Sequence, residues 1–257
     1  MLKEAQIRRK FRQRGNEENM SQKPVLYLLP GLLCDARIFR AQVDDLAPVC
    51  EVRVPDFFGF DSLTTMAEHV LASAPARFSV AGFSMGGRVA FEIMRLAPER
   101  IERFCAFDTG VHPLDAGEPA KREAIIRLAY DKGMEGLADA WLPGMVHPDR
   151  RQDAAFMQPL REMILSTTPE VHEKQIRALV GRRDATPVLG QIHCPALFLA
   201  GRQDEWSPPA QHEAMAKAVP GARFLVIEDS GHFVSVEQPA AFTKALREWM
   251  ELPAPTA

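Results

Sequence analysis

RFSVAGFSMGGRVAF, residues 77–91, runs a mostly apolar stretch into Ser84, which stands among three glycines. Up to Phe83 nothing polar alternates with the apolar residues, as expected of a strand buried on both faces. From Met85 onward the chain reads as a helix that stops near Pro98. Ser84 therefore sits on a sharp strand-to-helix turn, with Gly82 and Gly86 two residues to either side. Such a turn presses backbone against backbone, so side chains at those two positions would collide. Gly87 allows the helix to pack closely on the sheet. The first helical N–H, that of Met85, and the positive end of the helix dipole lie beside the serine, where an oxyanion would form.

The rest of the chain repeats this rhythm. Apolar runs at 25–31, 50–56, 103–110, 195–201 and 222–229 are also bounded by Gly, Pro or Asp and also lack alternation. Helical patterns lie between them, at 35–47 with Asp35 as a cap, at 62–74 with Ser62 as a cap, at 208–219 and at the C-terminal end. Strand alternating with helix predicts right-handed crossovers and a doubly wound, mostly parallel α/β sheet of six strands. One interval breaks the pattern. Residues 111–193 contain no convincing strand and read as helices over 119–131, 134–142, roughly 149–166 and 169–182. So long an interruption predicts an inserted helical cap on a core formed by 24–110 and 194–257.

A nucleophilic serine needs a base, and the base needs an acid to orient it. His232 follows the last strand in a glycine-preceded loop, and Asp204 follows the strand before. Catalytic groups of open α/β sheets gather at the carboxyl ends of strands, which is where Ser84, Asp204 and His232 all lie. Asp108, at the end of the strand before the insertion, is a rival for the acid, with Asp204 preferred. A second oxyanion donor is expected from the loop after the first strand, where Gly31 permits close approach and the Leu32 N–H turns inward.

Four motifs in this order resemble the α/β-hydrolase fold superfamily: Pro30-Gly31-Leu32-Leu33, Gly82-Phe83-Ser84-Met85-Gly86, Gly201-Arg202-Gln203-Asp204 and Gly231-His232. VPDFFGFDSL (54–63) is similar to the family's Asp-x-x-Gly stretch. The resemblance spans residues 25–250 and implies a serine esterase with a helical cap and no cofactor. Two departures stand out. Pro30 occupies the position where many members carry histidine, and the residues before Val25 are too polar and helix-like to be expected to supply the two further strands of the full family fold.

Composition is that of an ordinary globular chain: 257 residues, 46% hydrophobic, 25% charged, with a net charge of −3. That balance offers no footprint for nucleic acid, and no apolar run is long enough to insert in a membrane. Residues 1–23 form a basic extension, with neither the apolar core of a signal peptide nor the acid-free character of a transit peptide. Cys34, Cys50, Cys105 and Cys194 are scattered without metal-ligand spacing, which points to a reduced, cytoplasmic protein. Cys34, just past Gly31, is a core or loop thiol, with a pocket position as the alternative. The histidines other than His232 show no ligand spacing either, and His112 is the one expected to edge the pocket. Trp206 is expected to pack its own loop, and Asp184 to cap a turn.

These features imply hydrolysis of a carboxylic ester or lactone through an acyl-enzyme on Ser84, with the N–H groups of Leu32 and Met85 as oxyanion donors. Leu33, Phe83, Trp141, Met145 and Phe233 are the expected substrate wall. Few charges fall among the insertion's apolar residues, which favours a small-molecule substrate with an apolar acyl or alcohol group. Carbon–carbon bond hydrolysis, thioester hydrolysis and perhydrolysis use the same triad. Carbon–carbon cleavage would require cations in the wall, for which Arg88 and Arg202 are available. A ligand-binding regulator that keeps the fold is the non-enzymatic alternative. The sequence carries no signal for an oligomeric state.

Overall fold

Six parallel strands form one sheet in the order β2-β1-β3-β4-β5-β6 in this computed structural model, which describes residues 23–254. Nearly all of the basic extension lies outside the described residues. The strands are β1 (Val25–Leu29), β2 (Glu51–Arg53), β3 (Phe78–Phe83), β4 (Ile101–Phe107), β5 (Ala196–Gly201) and β6 (Arg223–Ile227). The chain moves one way from β1 to β2 and the opposite way from β2 to β3. With right-handed crossovers, that reversal places the connecting helices on opposite faces. Helix α1 (Arg40–Leu46) covers one face, and α2 (Leu63–Ser73) and α3 (Met85–Leu96) the other. The crevice at the reversal, between the carboxyl ends of β1 and β3, is where open sheets of this type bind ligands.

Burial across the sheet follows strand position. β3 and β5 are buried along their whole length, and β1 and β4 have one half-buried residue each. The expectation of burial on both faces fails at the two edges. β2 has no buried residue, and β6 leaves Phe224 and Leu225 exposed, because an edge strand is covered from fewer sides.

The caps read from the sequence act as expected. The Ser62 side chain accepts the Thr64 N–H at 3.2 Å. Asp35 accepts the Arg37 N–H at 2.9 Å, although the turn it caps is a 3-10 turn that leads into α1.

Between β4 and β5 the described chain is helical. Helix α4 (Glu118–Trp141) is broken at Gly133, whose φ of 68° and ψ of −179° divide it close to the predicted boundary. A 3-10 turn (Leu142–Met145) follows, then α5 (Ala154–Leu165) and α6 (Pro169–Val180). Helix α5 starts later than the sequence suggested, because Asp153 takes the cap position and accepts the Phe156 N–H at 3.1 Å. After β5 come α7 (Pro209–Lys217), the short α8 (Val234–Glu237) and α9 (Pro239–Met250). Helix α9 packs beside α1. Its Trp249 indole N–H donates to the Pro195 carbonyl at 3.1 Å, tying the end of the described chain to the start of β5. No described helix is long and apolar enough to cross a membrane.

Candidate active site

Ser84 joins β3 to α3 with φ 52° and ψ −113°. A non-glycine residue held there costs about 1–3 kcal/mol and persists only where its surroundings enforce it. The enforcement is visible in the backbone. The Ser84 N–H donates to the Phe107 carbonyl at 3.1 Å, and its own carbonyl accepts the Thr109 hydroxyl at 2.7 Å. A Cβ on Gly82 would stand 2.4 Å from the Gly86 carbonyl oxygen, and one on Gly86 would stand 2.2 Å from that of Leu29. The two flanking glycines are therefore required by contact with backbone, which cannot yield.

His232 Nε2 lies 2.9 Å from Ser84 Oγ, and His232 Nδ1 lies 2.8 Å from Asp204 Oδ2. The other Asp204 oxygen accepts the N–H groups of Trp206 and Ser207, both at 2.9 Å. Burial works to raise the Asp204 carboxyl, but the charge and hydrogen bond of His232, with the two N–H groups, outweigh it and hold the carboxyl below its ordinary value. The His232 ring lies against Phe83, centroids 5.2 Å apart, and Phe83 in turn packs on Phe233.

The rival acid has a different occupation. Asp108 is fully buried and accepts the Gly201 N–H at 2.9 Å and the Val234 N–H at 3.4 Å. Burial and the neighbouring Asp204 push its carboxyl well above the ordinary value. It ties the loops that carry Asp204 and His232 without bonding to the imidazole.

Glu237 was not singled out by the sequence. Its side chain is fully buried. It accepts the N–H groups of Gly231 at 2.9 Å, Phe233 at 3.1 Å and His147 at 2.7 Å. It thus clamps the loop on both sides of His232, and that residue's own N–H donates to the Met145 carbonyl at 2.8 Å. In the sequence Glu237 is one acid at the end of FVSVE (233–237), and no local pattern there distinguishes a clamp from a surface residue.

Leu32 and Met85 both line the cavity that reaches Ser84. Met85 opens α3, so its N–H has no intrahelical acceptor, and no hydrogen bond among the described residues uses the Leu32 N–H. The turn that carries Leu32 is held by Leu33, with φ 59°, whose N–H donates to the Gln175 side chain at 2.8 Å. Gln175 is wholly buried on α6 and also donates to the Phe57 carbonyl at 3.3 Å.

The cavity measures about 390 Å³, within the usual range for small-molecule sites. Trp141 and Met145 line it, with Ile125 and Leu179. Leu33, Phe83 and Phe233 do not: each is almost completely buried and spent on core packing. Trp206, expected to pack its loop, instead lines the cavity while remaining 43% exposed. His112 edges the cavity, whereas Cys34 is buried with its thiol on the Leu32 carbonyl. Asp184 takes the turn N–H of Thr186 at 2.9 Å.

The largest difference from expectation is charge. Arg88, Lys121, Arg122, Arg182, Asp115 and Glu118 all reach this cavity. Helical periodicity in the insertion could not reveal it, because these residues come from three separate segments that only the fold brings together. Arg202, the other cation considered, pairs with Glu228 on the surface.

A family model described as "Alpha/beta hydrolase family" matches residues 26–245. The chain is 26% identical over 244 residues to a pimeloyl-[acyl-carrier protein] methyl ester esterase of Nitrosomonas europaea, covering 88% of this chain and 95% of that one. Among solved structures it is similar to a thermophilic esterase from Thermogutta terrifontis, with a TM-score of 0.80, 27% identity and coverage of 89% and 90% of the two chains. It is also similar to the enol-lactonase from Burkholderia xenovorans LB400, with a TM-score of 0.81, 25% identity and coverage of 90% and 92%.

Proposed function

The chain belongs to the alpha/beta hydrolase family, and from that premise we propose that it is a serine hydrolase that cleaves a carboxylic ester or lactone through an acyl-enzyme on Ser84. The observation that carries this reading is the unbroken relay from Asp204 through His232 to a strained Ser84, with steps of 2.8 and 2.9 Å. The esterase and lactonase names of its relatives support the same bond type.

Ser84 Oγ attacks the ester carbonyl as its proton passes to His232 Nε2. The developing oxyanion lies against the N–H groups of Leu32 and Met85, assisted by the N-terminal end of α3. His232 then donates the proton to the leaving alkoxide. A water then loses a proton to the same nitrogen as its oxygen bonds to the acyl carbon, and His232 returns that proton to Ser84 Oγ as the C–Oγ bond breaks and the acid leaves. Asp204 holds the imidazole with Nε2 facing the serine and stabilises the imidazolium. Each step uses side chains and backbone of this chain. We read residues 24–110 and 194–257 as the catalytic core and 111–193 as a cap, which supplies Trp141, Met145 and Leu179 to the substrate wall.

The test is turnover of 4-nitrophenyl esters from C2 to C12, together with labelling by a fluorophosphonate. The expected outcome is Ser84-dependent turnover, reduced by about 10³-fold or more in Ser84→Ala, with the label on Ser84. Undiminished turnover in Ser84→Ala overturns the reading. A folded, unlabelled and inactive wild-type protein would favour the ligand-binding alternative.

A further inference from the structure

Arg88 sits in the first turn of α3, four positions after Ser84. It lines the same cavity and is half-buried. Its Nη1 donates to the His112 carbonyl at 3.1 Å, and its Nη2 lies 3.4 Å from His112 Nε2. A guanidinium can only donate, so that imidazole nitrogen accepts. His112 is suited to this, because burial and the adjacent Arg88 lower its pKa and keep the ring neutral.

What Arg88 lacks is a counter-ion. Among the described residues no carboxylate forms an ion pair with it, and the two acids in this wall are engaged elsewhere: Asp115 accepts the Gly117 N–H at 2.8 Å, and Glu118 is shared by two other arginines. Glu118 Oε1 accepts from Arg122 and from Arg182, each at 2.9 Å. Burial, reinforced by Arg182 and Arg122, lowers the Arg88 pKa to about 9, which leaves the side chain charged at neutral pH. An unpaired guanidinium drawn out of water is costly. Arg122, half-buried on the same wall, pairs with Glu118, and Arg100 spends its donors on several carbonyls. Arg88 keeps Nε and further hydrogens unused, on the wall of the cavity that ends at Ser84.

We propose that Arg88 receives a carboxylate of the substrate, so that the ester or lactone cleaved at Ser84 carries a carboxylate at its far end. The planar fork of donors matches a carboxylate in two parallel hydrogen bonds. Ile125, Leu179 and Trp141 line the remaining wall and suit an apolar chain between the two functional groups. The apolar substrate expected from the sequence thereby acquires a charged end. This assignment rests on the reading of Ser84 as the nucleophile.

The experiment compares matched substrates at constant ionic strength. One set is 4-nitrophenyl monoesters of unbranched C4–C8 dicarboxylic acids, each against the same ester with a terminal carboxamide. The other is acetate esters of ω-hydroxy acids against those of the ω-hydroxy amides. In at least one chain length the carboxylate member should have a kcat/KM about 10- to 100-fold higher. Arg88→Gln should bring that ratio to within about threefold of one. Arg88→Lys should leave an intermediate ratio, because a point charge lacks the fork.

A wild-type ratio near one at every length in both sets overturns the assignment, as does a preference that survives Arg88→Gln. Should the variants fail to fold, inhibition of the wild type decides. Dicarboxylates should compete with a neutral ester at least tenfold more strongly than their half-amides, and equal inhibition overturns the assignment. Ser84→Ala separates the two readings. Turnover that persists there overturns the esterase reading itself, whereas Ser84-dependent turnover without preference removes only the role of Arg88.

Discussion

Ser84 and Asp204 are tied to their loops by backbone bonds, so their roles can be tested one side chain at a time. Asp204→Asn keeps the shape but can present an N–H where His232 Nδ1 needs an acceptor. It should lower kcat by about 10³- to 10⁴-fold. Asp108→Asn should cost far less in kcat, because Asp108 bonds to the backbone of Gly201 and Val234 and not to the imidazole. Steady-state kinetics of the two variants on one ester check this, and the reverse order would make Asp108 the working acid. Both aspartates end strands and both were legible as candidates. The choice between them turned on which carboxylate oxygen lies 2.8 Å from Nδ1, a distance that no spacing along the chain encodes.

Helix α6 controls the turn that carries Leu32 through one buried side chain. The Gln175 oxygen is the acceptor for the Leu33 N–H, and the Leu33 φ of 59° is one that a side chain adopts only under constraint. Gln175→Leu strands that buried N–H, at a cost of about 1–3 kcal/mol. A fall in the denaturation midpoint should be accompanied by a kcat loss larger than any change in KM, because the oxyanion donor next to Leu33 acts in the transition state. A change confined to KM would count against it. Glu237 plays the matching part for the histidine loop. Glu237→Gln must turn an amide N–H toward backbone donors, so it should lower both stability and kcat, read by thermal melting and by turnover. Neither side chain could be found from sequence. Gln175 is one polar residue on an amphipathic helix, and its partner lies 142 positions away.

Across the whole molecule, two buried histidines link stability to pH. Burial lowers His172 and His212 to about 4 in the folded chain, against about 6.5 when unfolded. The unfolded chain therefore takes up two protons that the folded chain refuses, so these groups remove stability as pH falls from about 6.5 to 4. Each contributes on the order of 3 kcal/mol over that window. Asp108, shifted upward, acts in the opposite sense, so the informative quantity is a difference between proteins. His172 Nδ1 is buried without a partner, and His172→Leu removes both that orphan and the proton refusal. Urea denaturation between pH 7 and 4 should find the variant losing less stability than the wild type as pH falls. Parallel curves would contradict the assignment.

The alternation of apolar strands and helices determined the sheet, its direction and the helical insertion, because periodicity is a local property that each segment carries alone. Gly82 likewise marked the bend, since the collision it prevents, with the Gly86 carbonyl, lies within five residues of chain, whereas the one Gly86 prevents is with Leu29 on the neighbouring strand. The central strands follow that reading and the two edges do not, because burial at an edge depends on neighbours that the strand itself does not specify. The gathering of Arg88, Arg122 and Arg182 around one cavity, the partner of Gln175 and the clamp of Glu237 were decided only by the tertiary structure. Each is a meeting of groups far apart in the chain, and hydrogen bonds and charge pairs depend on distances in space that no local pattern records.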